Sequence, residues 1–179
     1  MVFKFDWQDA QNELTTYTDS DWAGCKITAR STTGGIIMIG NHIIKSWSRT
    51  QKTIALSSAE AELTAMVKGT CESLGVSSMM EGWGRRKYIV MMGDSNAALG
   101  VIRRKGAGKL RHVNIGMLWV QEKRDGGEID YRKVGGKDNP ADLMTKYLTG
   151  IMLDTHTGRL GLRFRVGRAD KASQIAKDT

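Results

Sequence analysis

The feature that most limits what this chain can become is a switch from hairpin-linked strands to helix-linked strands. Gly34-Gly35 introduces the apolar run Ile36-Ile37-Met38-Ile39, Gly40-Asn41 makes a tight turn, and residues 42–47 return as the second arm of a hairpin. Upstream, residues 14–18 are rich in Thr and Tyr and read as a strand ending in the turn signal Asp19-Ser20-Asp21. Residues 53–56 read as a further short strand. Ser57 and Ser58 are candidate N-caps for a long helix, with Leu63, Met66, Val67 and Leu74 at helical spacing and Gly75 as a candidate kink. Residues 88–92 form a continuous apolar run of the kind buried on both faces of a sheet. Asp94-Ser95-Asn96 ends it and opens a helix through Ala97, Ala98, Leu99 and Ile102. Helical patterning resumes over 113–123, Gly126-Gly127 turns the chain, and 129–134 reads as a strand. Asn139-Pro140 starts the last helix, with Asn139 as N-cap and Pro140 at the first helical position. This order predicts an α/β fold. Its mixed five-stranded sheet has a three-strand antiparallel meander plus two parallel strands, flanked by helices.

A length of 179 residues suits one domain plus tails. The expected division is a lead-in over 1–13, the domain over 14–148, and a basic, partly disordered tail over 149–179 that carries Arg159, Arg163, Arg165, Arg168, Lys171 and Lys177. No apolar run approaches the ~20 residues of a membrane helix, so no membrane partner is expected. The opening Met1-Val2-Phe3-Lys4-Phe5-Asp6 turns polar at once and does not read as a signal peptide. Cys25 and Cys71 lack C-x-x-C spacing, which suggests reduced thiols in an intracellular protein. His42, His112 and His156 are too scattered for a zinc site. The net charge of +8 points to a polyanionic partner, nucleic acid above all, although part of the excess lies near the C-terminus.

Several carboxylates occupy unusual places. Asp19 follows a strand, Glu62 lies in a helix between Ala61 and Leu63, Asp94 ends a second strand, and Asp142 lies in the first turn of a helix. Each has an ordinary explanation on its own: turn residue, solvated helix face, helix cap, or partner of the helix dipole. Gathered together they would repel one another unless a cation sat between them. Hard oxygen donors suit Mg²⁺, and such a cluster serves metal-assisted phosphodiester hydrolysis.

Six motifs occur in order. They are Tyr17-Thr18-Asp19-Ser20-Asp21-Trp22-Ala23-Gly24-Cys25, Arg30-Ser31-Thr32-Thr33-Gly34-Gly35 and Ala55-Leu56-Ser57-Ser58-Ala59-Glu60-Ala61-Glu62, followed by Gly93-Asp94-Ser95-Asn96-Ala97-Ala98, Leu110-Arg111-His112-Val113 and Asn139-Pro140-Ala141-Asp142-Leu143-Met144-Thr145-Lys146. Over about residues 14–148 the chain resembles the ribonuclease H domain of copia-type retrotransposon polyproteins, the C-terminal part of Pol. The resemblance implies a ribonuclease H-like fold. It also implies an endonuclease that cleaves the RNA strand of RNA–DNA hybrids during reverse transcription and leaves 5′-phosphomonoesters. Two Mg²⁺ ions, replaceable by Mn²⁺, would be held by Asp19, Glu62, Asp94 and Asp142. Asp21 and Glu60 compete for two of these places; Asp19 is preferred for following Tyr17-Thr18, and Glu62 for preceding Leu63.

The resemblance further places Gly24, Ser58 and Asn96 near the RNA minor groove. Arg103, Arg104, Lys109 and Arg111 can grip phosphates or form a solvated loop. Trp22 reads as a core residue, as a strand-end Trp usually is, and His112 as structural. The loop Gly135-Gly136-Lys137-Asp138 lacks the histidine that cellular ribonucleases H carry there, and Lys137 cannot shuttle protons at neutral pH. The reverse transcriptase domain of the same polyprotein is the expected partner. The expected location is the cytoplasm, in a retrotransposon particle, with the nucleus as alternative. The chain reads as a fragment or a split-off open reading frame. A decayed nucleic-acid binder and an integrase-like strand transferase are the competing functions.

Overall fold

The computed structural model describes residues 2–106 and 115–163. The elements run β1 (Val2–Phe3), β2 (Glu13–Asp21), β3 (Thr32–Ile39), β4 (His42–Thr50), α1 (Ser58–Gly82), β5 (Tyr88–Gly93), α2 (Asn96–Arg103), α3 (Trp119–Asp125), β6 (Ile129–Lys133), α4 (Gly150–Arg159) and β7 (Leu162–Arg163). Short 3-10 segments at Ile115–Leu118, Gly136–Asp138 and Pro140–Met144 join them. The main sheet has five strands in the order β4-β3-β2-β5-β6. β2, β3 and β4 form the antiparallel meander, and β5 and β6 extend the sheet in parallel. This is the expected fold class.

Alternation along the strands divides the apolar side chains between two faces. Leu14, Ile37, Met91 and Ile129 pack under the helices with Leu63, Met66, Leu99, Ile102 and Val120. Ile36 and Met38 form a second cluster with Leu160, to which Tyr17, Leu143 and Met144 add partial cover. The interior strand β3 is therefore covered on both sides, which accounts for its unbroken apolar run.

The sheet-facing side of α1 is unusually polar and small. Thr16 Oγ1 lies 2.7 Å from Ser73 Oγ, and Thr70 Oγ1 lies 2.8 Å from Tyr131 OH, so these buried hydroxyls satisfy one another. A Cβ on Gly69 would come within 2.5 Å of Thr18 Cγ2, so glycine sets how closely α1 approaches β2. Ser57 caps the helix by accepting the Glu60 N–H. The helix runs unbroken through the exposed Gly75, where a kink was expected.

Other local expectations give way to the structure. Asp19-Ser20-Asp21 is not a turn: the three residues pair with Gly34, Thr33 and Thr32 as the end of β2. No strand forms over 53–56, whose backbone is engaged by side chains instead. The Ala55 carbonyl accepts the Trp22 indole N–H at 3.0 Å, and the Leu56 N–H donates to Glu60 Oε2 at 2.8 Å. Trp22 is 54% exposed rather than part of the core. The segment after Asn139-Pro140 is a 3-10 turn, capped as expected by the Asn139 side chain accepting the Ala141 N–H.

The ends of the described chain differ most from expectation. Residues 150–163, expected as the start of a tail, form α4 and β7, and β7 pairs with β1 of the lead-in. The cause is the second face of the sheet, where Leu160 is buried to 1% exposure against Ile36 and Met38. Burying a leucine there contributes roughly 1.5–3 kcal/mol. Residues 164–179, the rest of the expected tail, lie outside the described residues.

Gly34 marks where the site-bearing C-terminal segment meets the sheet. A Cβ there would lie 2.6 Å from Thr145 Cγ2, 2.7 Å from Met144 Cβ and 3.1 Å from the Ala141 carbonyl oxygen. Gly34→Ala is expected to destabilise the fold by roughly 1–3 kcal/mol, as overpacking does. Gly75→Ala, which meets open space on a helix, is expected to stabilise by about 0.5–1 kcal/mol. Urea denaturation of the two variants checks this, and equal midpoints would contradict the assigned contact.

Candidate metal centre

Two neighbouring parallel strands create the site. β2 and β5 pair as far as Tyr17 and Met92, and two positions beyond stand Asp19 and Asp94. Their carboxylates therefore leave the same carboxyl end of the sheet, the usual ligand-binding edge of α/β proteins. Glu62 comes down from the first turns of α1, with its Oε1 accepting the Ser20 N–H at 3.2 Å. Ligand oxygens of Asp19, Glu62 and Asp94 lie within 4.8 Å of one another.

Asp142 lies outside that trio and is linked to it through a lysine. Lys146 Nζ is 2.9 Å from Asp142 Oδ1 and 3.0 Å from Asp19 Oδ1. The Thr145 hydroxyl donates to the other Asp19 oxygen. Asp19 and Asp142 are buried, whereas the Lys146 side chain is 40% exposed.

The competing carboxylates have other partners. Asp21 accepts the Thr32 N–H at the end of the β2–β3 ladder. Glu60 accepts from the Leu56 backbone while its own N–H donates to Ser57, forming a capping arrangement at the start of α1. Asp94 does not cap α2; Ser95 does, by accepting the Ala98 N–H at 3.2 Å. The Asp94 carboxylate is thereby left to face the cluster.

Electrostatics bear the mark of this crowding. Burial, then the charges of Asp19 and Asp94, push the Glu62 carboxyl up to about 8, against the opposing Ser20 N–H. Burial and Asp19 raise Asp94 as well. Burial also raises Asp142, although its bond to Lys146 pulls the other way. For Lys146, burial disfavours the charge, but Asp142 and Asp19 outweigh it and hold the ammonium above its ordinary range. A concentration of mutually repelling hard oxygen donors, with no sulfur or imidazole among them, fits Mg²⁺ or Mn²⁺.

The expected substrate residues are dispersed around this centre. Gly24 lies against the Asp21 carboxylate, Ser58 is exposed at the start of α1, and Asn96 is exposed on α2 with its Oδ1 accepting from Lys133 Nζ at 2.7 Å. Arg103 is exposed and Arg104 half-buried at the end of α2. Lys109, Arg111 and His112 lie outside the described residues. Gly136 stands next to Asp94, with room for a Cβ 3.5 Å from Asp94 Oδ2, and Lys137 beside it is exposed. Sequence reasoning missed Thr145, Lys146 and the fully exposed Tyr147, which line a groove with Gly24, Cys25 and Ser48. The available signal was the four-residue spacing from Asp142 to Lys146.

The sheet order and the carboxylates at its edge define a ribonuclease H-like fold. The N-terminal RNase H domain of a Mycobacterium tuberculosis protein superposes with a TM-score of 0.53 at 16% identity, covering 83% of this chain and 98% of that one. LC11-RNase H1, isolated from compost, gives a TM-score of 0.53 at 15% identity, covering 75% and 94%. No protein-family model matches the chain. In sequence it is 29% identical over 136 residues to the retrovirus-related Pol polyprotein from transposon TNT 1-94 of Nicotiana tabacum, covering 74% of this chain and 10% of the polyprotein. The corresponding polyprotein from transposon RE1 of Arabidopsis thaliana is 26% identical over 152 residues, covering 83% and 10%. The chain thus spans about a tenth of the length of these relatives. The chain therefore has a ribonuclease H-like fold and is similar in sequence to a part of these plant-transposon Pol polyproteins, consistent with its copia-type motifs.

The Glu62 shift gives stability a definite pH dependence in the absence of metal. Below the ordinary value of 4.5, folded and unfolded chains both carry the proton and Glu62 is neutral to stability. Between 4.5 and about 8 the unfolded chain ionises while the folded one retains its proton, so stability falls as pH rises. Above that window the loss is complete and constant. Thermal melts in EDTA are expected to show this decline, and Glu62→Gln is expected to flatten it. A decline of equal size in the variant would assign it to other groups.

Proposed function

We propose that this domain hydrolyses the RNA strand of RNA–DNA hybrids by metal-assisted endonucleolytic cleavage, leaving 5′ phosphates, in the service of reverse transcription. One observation carries the reading: Asp19, Glu62 and Asp94 converge within 4.8 Å at the carboxyl end of the sheet of a ribonuclease H-like fold. Asp19, Glu62 and Asp94 would hold the cations, with Asp142 as the fourth carboxylate. Bound there, divalent ions would supply a water nucleophile of lowered pKa and stabilise charge on the phosphate and the leaving 3′ oxygen.

The chain's own residues do the remaining work. The Ser20 N–H and the rigid start of α1 aim Glu62 at the two aspartates. β2–β5 pairing fixes the spacing of Asp19 and Asp94, so little reorganisation is needed when charge develops. No side chain forms a covalent intermediate. Gly24, whose lack of a side chain makes way for the Asp21 carboxylate, is proposed to border the RNA minor groove, and Ser58 and Asn96 present hydroxyl and amide groups suited to the RNA 2′-OH. Asn96 must first give up its contact with Lys133. Arg103 and Arg104 at the end of α2 would meet phosphates, with Lys109 and Arg111 extending that surface. The natural partner is a reverse transcriptase domain of the same polyprotein. Among the described residues no helix is long and apolar enough to cross a membrane.

Cleavage of an end-labelled RNA–DNA hybrid tests the proposal. Activity is expected with Mg²⁺ or Mn²⁺ and not in EDTA. Asp94→Asn and Glu62→Gln are each expected to reduce it by at least about 100-fold, since even outer-shell changes at metal sites cost 10–100-fold. Glu60→Gln, which alters a helix cap, is expected to act on stability more than on rate. Hybrid binding without cleavage under any metal condition would favour the decayed-binder alternative.

A further inference from the structure

Lys146 holds a position that a charge-neutral account of the site leaves unexplained. Its ammonium spans Asp19 and Asp142 at 3.0 and 2.9 Å, and the adjacent Thr145 hydroxyl takes the second Asp19 oxygen. Both oxygens of the central aspartate are thus engaged by one dipeptide of this chain. Asp94 and Glu62, by contrast, accept nothing from a cationic side chain among the described hydrogen bonds and ion pairs. By direct contact the four carboxylates therefore divide into an unbridged half, Glu62 with Asp94, and a compensated half, Asp19 with Asp142, while Lys146 and Lys133 also act on Asp94 at longer range.

We propose that Lys146 is a built-in counter-cation that holds the Asp19–Asp142 half of the cluster, so that a divalent ion loads there only when Lys146 is drawn away. Resting on the metal-site reading above, this makes the lysine a positioning and gating residue. Three features make the exchange physically feasible. The side chain is 40% exposed on its solvent side, so it can swing outward without unfolding the segment. It opens onto the groove bounded by Asp21, Gly24, Cys25, Ser48 and Tyr147, which a nucleic-acid strand would enter. A phosphodiester in that groove offers the ammonium a new anionic partner at the moment the carboxylates are needed for a cation. Loading of the second ion and arrival of substrate then become reciprocally coupled, as linkage requires.

Isothermal titration of the metal-free protein with Mn²⁺ tests this without reference to turnover. Wild type is expected to bind one ion tightly and a second weakly. Lys146→Met is expected to take up the second ion at least about fivefold more tightly, the lower range of typical coupling. Lys146→Arg, which keeps the charge, is expected to resemble wild type. A non-cleavable hybrid with 2′-O-methylated RNA is expected to tighten the second site in wild type and change little in Lys146→Met. Thermal melts keep the comparison interpretable: in EDTA Lys146→Met should melt lower than wild type, and Mn²⁺ should raise its Tm by more. Identical stoichiometry and affinity in wild type and Lys146→Met would overturn the gating role while leaving the metal site intact. Absence of Mn²⁺ binding in both proteins would overturn the metal-site reading, and the gating role with it.

Discussion

Like charges brought to one end of a sheet set the terms for the rest of this molecule. Asp19 and Asp94 stand two positions beyond the last paired residues of the adjacent parallel strands β2 and β5, so the ladder directs both to the same edge of the sheet. Glu62 is pressed toward them by α1, whose approach depends on Gly69 meeting Thr18 with no side chain between. The repulsion is overcome by hydrophobic burial elsewhere, chiefly the cluster of Leu14, Ile37, Leu63, Met66 and Met91. The core thus has a second role beyond stability: it holds an arrangement that the carboxylates alone would disperse.

The arrangement is not uniform. Where the chain supplies its own cation, at Asp19 and Asp142, charge is balanced by Lys146. Away from that direct contact, Glu62 is pushed up to about 8, and Asp94 is raised by burial and Asp19 against the longer-range pull of Lys146 and Lys133. In the absence of metal a proton can occupy Glu62. The compensated half is held by an ammonium, which does not leave at neutral pH and has to be displaced. These are two different ways of storing the same tendency to bind a cation, and they make the two halves respond differently to pH and to phosphate.

Much of this was legible in the sequence, for identifiable reasons. The hairpin around Gly40-Asn41 and the apolar run before Asp94 carry local signals strong enough to give the sheet its strands, and the shift to helix-linked strands gives their directions. Asp94 and Glu62 were recognisable through their motifs, Glu62 by preceding Leu63, and the structure frees Asp94 from the cap role that its position alone suggested, because Ser95 caps α2 instead. What was not legible depended on distant contacts. Asp19-Ser20-Asp21 resembles a turn until β3 supplies its partners. Residues 53–56 resemble a strand, yet their backbone groups are used by Trp22 and Glu60. Lys146 had no assigned role in the sequence, because one of its partners, Asp19, lies 127 positions away.

The C-terminal segment shows most clearly why distance in sequence misleads. Residues 150–163 are basic and glycine-containing, and no local pattern marks them as part of the domain. Yet Leu160 fills the face of the sheet opposite the helices, in the cluster where Leu143 and Met144 also pack. Arg159 reaches Asp138 from the same helix, with Nη2 at 2.7 Å from Oδ1 and Nη1 at 3.2 Å from the carbonyl oxygen. α4 therefore braces both segments that border the carboxylates: the loop carrying Gly136 beside Asp94, and the turn carrying Asp142, Thr145 and Lys146. The packing that covers an otherwise exposed apolar face is also what fixes the position of the lysine that neutralises half the site.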